Sequence, residues 1–82
     1  MNFMLKLKNI KIENDIVKCD MLPEDSSEWG HIVVNLKDKT IQEYDLPHGY
    51  EWCKNHVEHA KDKLIVMYEN NSFQSETTIM WY

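Results

Sequence analysis

Three side chains with metal-binding and nucleophilic chemistry lie close together in the second half of the chain. Cys53, His56 and His59 follow one another at intervals of three residues. Thiolate and imidazole are ligands that zinc prefers, and a cysteine beside a histidine is also the pairing that activates a thiol nucleophile. On a helix, however, these intervals spread the three side chains over about 120°, so they converge poorly. A metal- or thiol-dependent enzyme that uses these residues is therefore the secondary interpretation of the segment.

The two histidines also belong to a stripe that suits a binding surface. Trp52, His56, His59 and Lys63 are spaced 4, 3 and 4 residues apart. This spacing places them within about 60° of one another on a helix, on a flank between the core and the solvent. On such a flank we expect the histidines to extend toward water along the edge of a sheet, while the tryptophan covers apolar surface.

Aromatic residues at other positions in the chain extend this interpretation. Trp29 follows an acidic loop, and Trp81 and Tyr82 close the sequence, where a chain end frays unless it docks against its own core or a partner. Tryptophan and tyrosine anchor protein interfaces. We therefore predict a partner-binding surface made of aromatic and imidazole side chains, namely Trp29, Trp52, His56, His59, Trp81 and Tyr82.

A single amphipathic helix is predicted to carry the stripe. Apolar residues recur at intervals of 3, 4, 3, 4 and 3, which is the pattern of a helix with one buried face. They are Tyr50, Cys53, Val57, Ala60, Leu64 and Met67. Residues 64–68 are apolar throughout and fit a buried strand as well as a continued helix. If the helix continues, Ile65 and Val66 face outward and need another partner.

Alternating apolar and polar residues predict four antiparallel strands before this helix, over residues 3–12, 16–22, 31–37 and 40–46, and a last strand over 77–82. A bulge near Lys8 and Asn9 is expected to return Ile10 and Ile12 to the core face. Residues 23–28 form an acidic loop that we place in water. The chain is thus expected to be a single α+β domain over residues 1–82. In it, an antiparallel sheet of four to five strands, in β-β-β-β-α-β order, is covered on one face by the helix.

Charge composition argues against nucleic acid as a general partner. The nine basic residues are all lysines, and fourteen acidic residues bring the net charge to −5. Without arginine the chain lacks the planar group that reads guanine edges, and a negative surface repels a phosphate backbone. A local strip of four lysines on the first hairpin, in contact with RNA, is the remaining alternative: Lys6, Lys8, Lys11 and Lys18.

Neither a membrane nor an oxidising compartment is indicated. No stretch approaches the roughly 18 apolar residues that span a bilayer. Cys19 and Cys53 lie 34 positions apart, and the amino-terminal residues do not form a secretory signal. We therefore predict a cytoplasmic protein with reduced thiols and no membrane partner.

Three segments resemble a group of small bacterial proteins of unknown function. They are residues 47–53 (PHGYEWC), the histidines His56 and His59 followed by Ala60, and residues 78–82 (TIMWY). The resemblance covers mainly residues 47–82. In similar chains the stretch after the histidine pair is rich in Ala, Leu and Glu, which implies a continued helix. The resemblance implies no activity, cofactor or catalytic residue.

Together these features favour a small interaction module that binds a protein partner, a homodimer being one form of it. No catalytic residue and no cofactor are predicted. The alternative is the metal- or thiol-dependent enzyme described above, with Cys53, His56 and His59 as ligands or reactive groups.

Overall fold

Four consecutive strands form where the sequence alternates between apolar and polar residues, as predicted. The computed structural model describes residues 3–81. Its elements, in chain order, are β1 (Phe3–Glu13), β2 (Ile16–Pro23), β3 (Gly30–Asn35), β4 (Thr40–Asp45), α1 (Lys54–Glu69) and β5 (Glu76–Trp81). This β-β-β-β-α-β order and the single helix packed on an antiparallel sheet confirm the predicted α+β fold.

The last strand returns to pair with the first. The five strands lie in the order β4-β3-β2-β1-β5, and every neighbouring pair is antiparallel. Across β2, β1 and β5, Leu5 is opposite both Pro23 and Ile79, and Leu7 is opposite Met21. Directly opposed residues point to the same face of a sheet. These side chains therefore form part of one apolar layer beneath the helix, with Leu5 and Leu7 fully buried.

The predicted bulge in β1 is present. The register between β1 and β2 shifts between Lys8 and Lys11, and Asn9 has a φ of 56°, in the left-handed region that asparagine tolerates. Beyond the bulge, Ile10 packs partly against the core, and Ile12 is opposite the buried Val17. Ile12 faces the core side but remains 43% exposed near the β1–β2 turn.

The helix begins later than its apolar spacing predicts. It starts at Lys54 instead of Tyr50, because residues 47–53 form tight turns in which Tyr50 N donates to Pro47 O and Cys53 N to Tyr50 O. The other five predicted core positions, from Cys53 to Met67, are buried. The helix continues through residues 64–68, which settles the choice between helix and strand. Val66 faces solvent as expected, whereas Ile65 packs partly against the core, contrary to the prediction.

Helix burial joins the two halves of the chain into one core. The buried residues of α1 meet those of β1, β2 and β3, and the apolar cluster they form comprises Leu5, Leu7, Val17, Cys19, Met21, Ile32, Val34, Leu36, Val57, Ala60 and Leu64. α1, the helix found within residues 3–81, lacks the length and apolar character needed to cross a bilayer.

Candidate functional site

Aromatic and imidazole rings meet where β1, β5 and the first half of α1 come together. Phe3 is the cross-strand neighbour of Trp81, and their rings stack with centroids 5.9 Å apart. The helix brings two histidines onto the same indole: the His59 ring stacks on Trp81 at 4.0 Å, and the His56 ring meets it edge-on at 4.7 Å. Trp81 is therefore in contact with three other rings.

Two further rings extend the cluster toward solvent along the turn before the helix. Trp52 lies edge-on to His56 at 5.6 Å, and Tyr50 stacks against Trp52 at 6.2 Å. The indole of Trp52 is 60% exposed. We refer to the six residues of this cluster, Phe3, Tyr50, Trp52, His56, His59 and Trp81, as the aromatic corner.

His56 is buried, which corrects the expectation that it lies on a flank exposed to water. Only 2% of the residue is accessible, because Phe3, Trp52 and Trp81 surround its ring. Its Nε2 lies 2.5 Å from Oε1 of Glu24. Its Nδ1 is also buried and has no hydrogen-bond partner among residues 3–81. The ring is thus held through one nitrogen and through its aromatic neighbours.

Glu24 is the site residue that sequence analysis missed. The acidic loop is predicted to lie in water, yet the Glu24 side chain is only 22% exposed and turns inward to His56. The backbone supports this orientation: Glu24 has a φ of 47°, and its N–H donates to Met4 O at 3.0 Å. Ser26 in the same loop is also buried, and its hydroxyl donates to Glu28 O. Only Asp25 and Glu28 behave as the exposed acids that were expected.

The sequence does not single out Glu24, but the start of the helix accounts for its position. α1 has no side-chain hydrogen bond at its N-cap, Cys53, and no acidic residue in its first turn. Free N–H groups at a helix start favour a nearby negative charge. The Glu24 carboxylate supplies such a charge from the β2–β3 loop, next to the first turn of the helix.

The environment of Cys53 is unfavourable for a reactive thiol. The residue is fully buried, and burial, followed by the negative charge of Glu24, raises the pKa of its thiol to about 11. The thiol is therefore protonated at neutral pH, whereas nucleophilic cysteines lie in exposed, electropositive surroundings. Cys19 is similar, since burial raises its pKa to about 12.

The three residues of the secondary interpretation are not arranged as a ligand set. Cys53 points into the core, His56 faces Glu24, and His59 lies flat on Trp81. Within the part of the chain that the structure describes, no group of three or more His, Cys, Asp or Glu side chains is placed to hold a metal ion.

Trp29 lies apart from the aromatic corner, on the face of the sheet opposite the helix. Its ring is 42% exposed and lies 5.8 Å from Nζ of Lys8. Because Leu7 points into the core, the next residue of β1, Lys8, points to the open face. Trp29 lines a cavity of about 420 Å³ with Lys6, Lys8 and Thr78. The structure therefore divides the predicted partner surface: it brings together Trp52, His56, His59 and Trp81 and separates Trp29. Tyr82 lies outside the described residues.

The four lysines of the first hairpin share this open face with acidic groups. Lys11 and Lys18 are directly opposite each other, while Lys8 is opposite Asp20, whose carboxylate accepts a hydrogen bond from Asn9. On the neighbouring strands, Glu43 lies 3.4 Å from His31. The lysine strip is therefore bordered by carboxylates and does not form a purely basic face.

Comparison of the chain with models of known protein families, with curated proteins and with solved structures gives no match. The resemblance of residues 47–82 to small bacterial proteins stays a prediction.

Proposed function

We propose that this protein is a small, non-catalytic binding module that recognises a protein partner through the aromatic corner. The observation that carries the proposal is the 60% exposed indole of Trp52, held against the buried His56, which is itself paired with Glu24. Exposed tryptophans on a rigid base are typical anchors of protein interfaces.

The packing beneath Trp52 supports a preformed surface. His56 is fixed by Glu24 on one side and by three rings on the other, and Trp81 lies between His56 and His59. A surface whose side chains are already ordered loses less conformational entropy when a partner binds. Little rearrangement is therefore needed before Trp52 and the partly exposed edges of His59 and Trp81 contact a partner.

Two observations favour binding over thiol or acid–base catalysis. Cys53 is buried and its pKa is raised to about 11, so its sulfur is neither accessible nor ionised at neutral pH. Both nitrogens of His56 are buried, and Nε2 is already paired with Glu24. A general base must lie within reach of a substrate proton, and His56 is shielded from solvent by its neighbours.

The proposal includes a reducing compartment, in line with a cytoplasmic location. Cys19 and Cys53 are both free and buried. Free thiols are the usual state of cysteine in a reducing environment. Buried thiols of this kind act as small apolar side chains in the core.

Site-directed photo-crosslinking tests the location of the surface. A photoreactive phenylalanine analogue replaces Trp52 in one version of the chain and Trp29 in a second, and cells that express each version are irradiated. We expect a discrete adduct from position 52 and none of the same mass from position 29, because Trp29 lies on the opposite face. Unlabelled wild-type chain should compete for the adduct, whereas the Trp52→Ala chain should not.

Either of two results would overturn the proposal. One is the absence of any adduct at position 52 in a chain that is folded by circular dichroism. The other is an identical set of adducts at both positions, which would indicate nonspecific contacts.

A further inference from the structure

The two edges of the sheet are protected to different extents. Among residues 3–81, β4 pairs only with β3, and β5 pairs only with β1, so each has one unpaired side. An unpaired strand offers free N–H and C=O groups to any other strand unless charges, proline or a bulge discourage pairing.

β4 carries such protection. Glu43 and Asp45 place charges along it, Pro47 follows it, and its register with β3 shifts between Val33 and Val34. A charged and irregular edge resists the addition of another strand.

β5 carries almost none. Its sequence, ETTIMW, contains one charge, Glu76, at its first position, and no proline. Its register with β1 is continuous from Glu76 to Trp81, so the strand is regular along its whole length. β5 is therefore the edge at which another strand can pair most readily.

Apolar side chains of β5 are open to solvent on both faces of the sheet. Met80 is 66% exposed, the most of any large apolar side chain among the described residues. Met80 is opposite Met4 on the open face. Trp81, which is half-buried, lies on the other face, where it contacts His56 and His59 of the helix. A strand added along β5 would shield apolar surface on both faces.

We propose that β5 pairs antiparallel with β5 of a second copy of this chain, which joins two five-stranded sheets into one sheet of ten. The inference builds on the proposed function, since it identifies the partner that meets the aromatic corner. The two-fold axis of such a pairing is perpendicular to the sheet. Both helices, and both aromatic corners, therefore lie on the same side.

The charge pattern of β5 fits a second copy in this direction. Because Glu76 is at one end, antiparallel pairing centred on Thr78 or Ile79 separates the two Glu76 side chains by roughly 14–20 Å. That distance exceeds the screening length of about 8–10 Å in physiological salt. Parallel pairing would instead place the two carboxylates next to each other. No like charges face each other in the antiparallel arrangement, and Met80 lies opposite threonine, glutamate or methionine according to register.

Sedimentation equilibrium of the purified chain tests the inference with a matched pair of variants. Thr78 in β5 and Thr40 in β4 are both exposed threonines on edge strands of the same sheet face. We expect wild-type protein to approach twice the 9.9 kDa of one chain as its concentration rises. Thr78→Lys should weaken dimerisation at least tenfold, because the new ammonium groups of the two copies approach each other across the axis. Because Thr78 is also opposite Lys6 of its own chain, urea denaturation checks that this variant stays folded. Thr40→Lys should dimerise like wild type.

Amide hydrogen exchange provides a second measurement that does not depend on the threonine variants. Protection of the β5 amides should increase with protein concentration, while that of the β4 amides should not. Met80→Lys, at an exposed position, should abolish this increase.

The outcomes separate this inference from the proposed function. A wild-type chain that stays monomeric at all concentrations would overturn the inference, and so would a dimer that Thr78→Lys leaves intact. In either case, an adduct between position 52 and a different protein would still support the aromatic corner as a binding surface. An adduct of two copies at position 52 together with concentration-dependent β5 protection supports both.

Discussion

The two ends of α1 are attached to the sheet by different kinds of contact. At the first half, His56 is buried among aromatic rings and paired with Glu24. At the last turn Met67 is buried, but the polar contacts are exposed: Tyr68 Oη donates to Asp15 Oδ1 at 3.1 Å, and Lys39 Nζ lies 3.3 Å from Glu69 Oε2. The helix ends by local backbone bonds, with Ser72 N donating to Met67 O.

This difference explains why the candidate site lies at the start of the helix. Exposed ion pairs contribute about 0–1 kcal/mol and are weakened by salt, so the polar contacts of the last turn can shift at little cost. Buried ring contacts and the part-buried hydrogen bond between His56 and Glu24 hold one geometry, since any movement exposes apolar surface or leaves the carboxylate unpaired. A binding surface that must be preformed is better placed over these ring contacts at the start of the helix.

The largest effect is expected from His56→Ala. Removing the ring leaves a cavity between Phe3 and Trp81 and leaves Glu24 without its partner, so we expect a loss of about 3 kcal/mol in the free energy of unfolding. Urea denaturation measures this loss. His59→Ala is the control, because His59 is only half-buried and stacks on Trp81, and its loss should be about 1 kcal/mol. Equal, small losses in both variants would contradict the view that His56 is a packing centre.

A smaller effect is expected from Glu24→Gln. The amide can still bond to His56, but the charge is gone, and we expect a loss of about 1–2 kcal/mol by urea denaturation. The same change should lower the pKa of Cys53 toward its usual value, because the negative charge of Glu24 contributes to the raised pKa. The chemical shift of the Cys53 Cβ carbon, followed by NMR as the pH is raised, measures this shift without requiring access to the buried thiol. Asp25→Asn, at an exposed position in the same loop, should leave the pKa of Cys53 unchanged. If the pKa of Cys53 is the same in Glu24→Gln as in wild type, the charge of the Glu24 carboxylate has no effect at the start of the helix.

The smallest effect is expected at the other end of the helix. Tyr68→Phe removes only the exposed hydrogen bond to Asp15, so we expect a loss of at most about 0.5 kcal/mol. Urea denaturation of this variant beside His56→Ala compares the two ends directly. A loss above about 1.5 kcal/mol would show that the last turn is held as firmly as the first, and the comparison would fail.

Most of the fold could be predicted because it is encoded by local periodicity. Alternation specifies which face of each strand is buried, and the 3–4 spacing from Cys53 to Met67 specifies the buried side of the helix. The bulge could be inferred because Ile10 and Ile12 break the alternation of β1. Each of these signals lies within a few residues of the feature it specifies.

The contacts of the site could not be predicted in the same way. Glu24 and His56 are 32 positions apart, and their pairing depends on a left-handed backbone angle at Glu24 that no glycine or asparagine announces. The burial of His56 depends on Phe3 and Trp81, which come from opposite ends of the described chain. The spacing of Trp52, His56, His59 and Lys63 places His56 correctly on the flank of the helix. That this flank is covered, however, is determined by β5, which pairs with β1.

The position of β5 beside β1 has a consequence for synthesis. Phe3 and Trp81 are neighbours in the sheet although 78 positions separate them in sequence, so β1 remains the border of an unfinished sheet until β5 has left the ribosome. During that interval β1 can meet nascent or finished chains, and its solvent-facing residues include Lys6, Lys8 and Lys11. Natural β-sheets often carry lysine on their edge strands, where it discourages aggregation. The edge of β1 along Phe3–Lys8 is thus open only until β5 pairs with it, and Lys6 and Lys8 lie on that stretch.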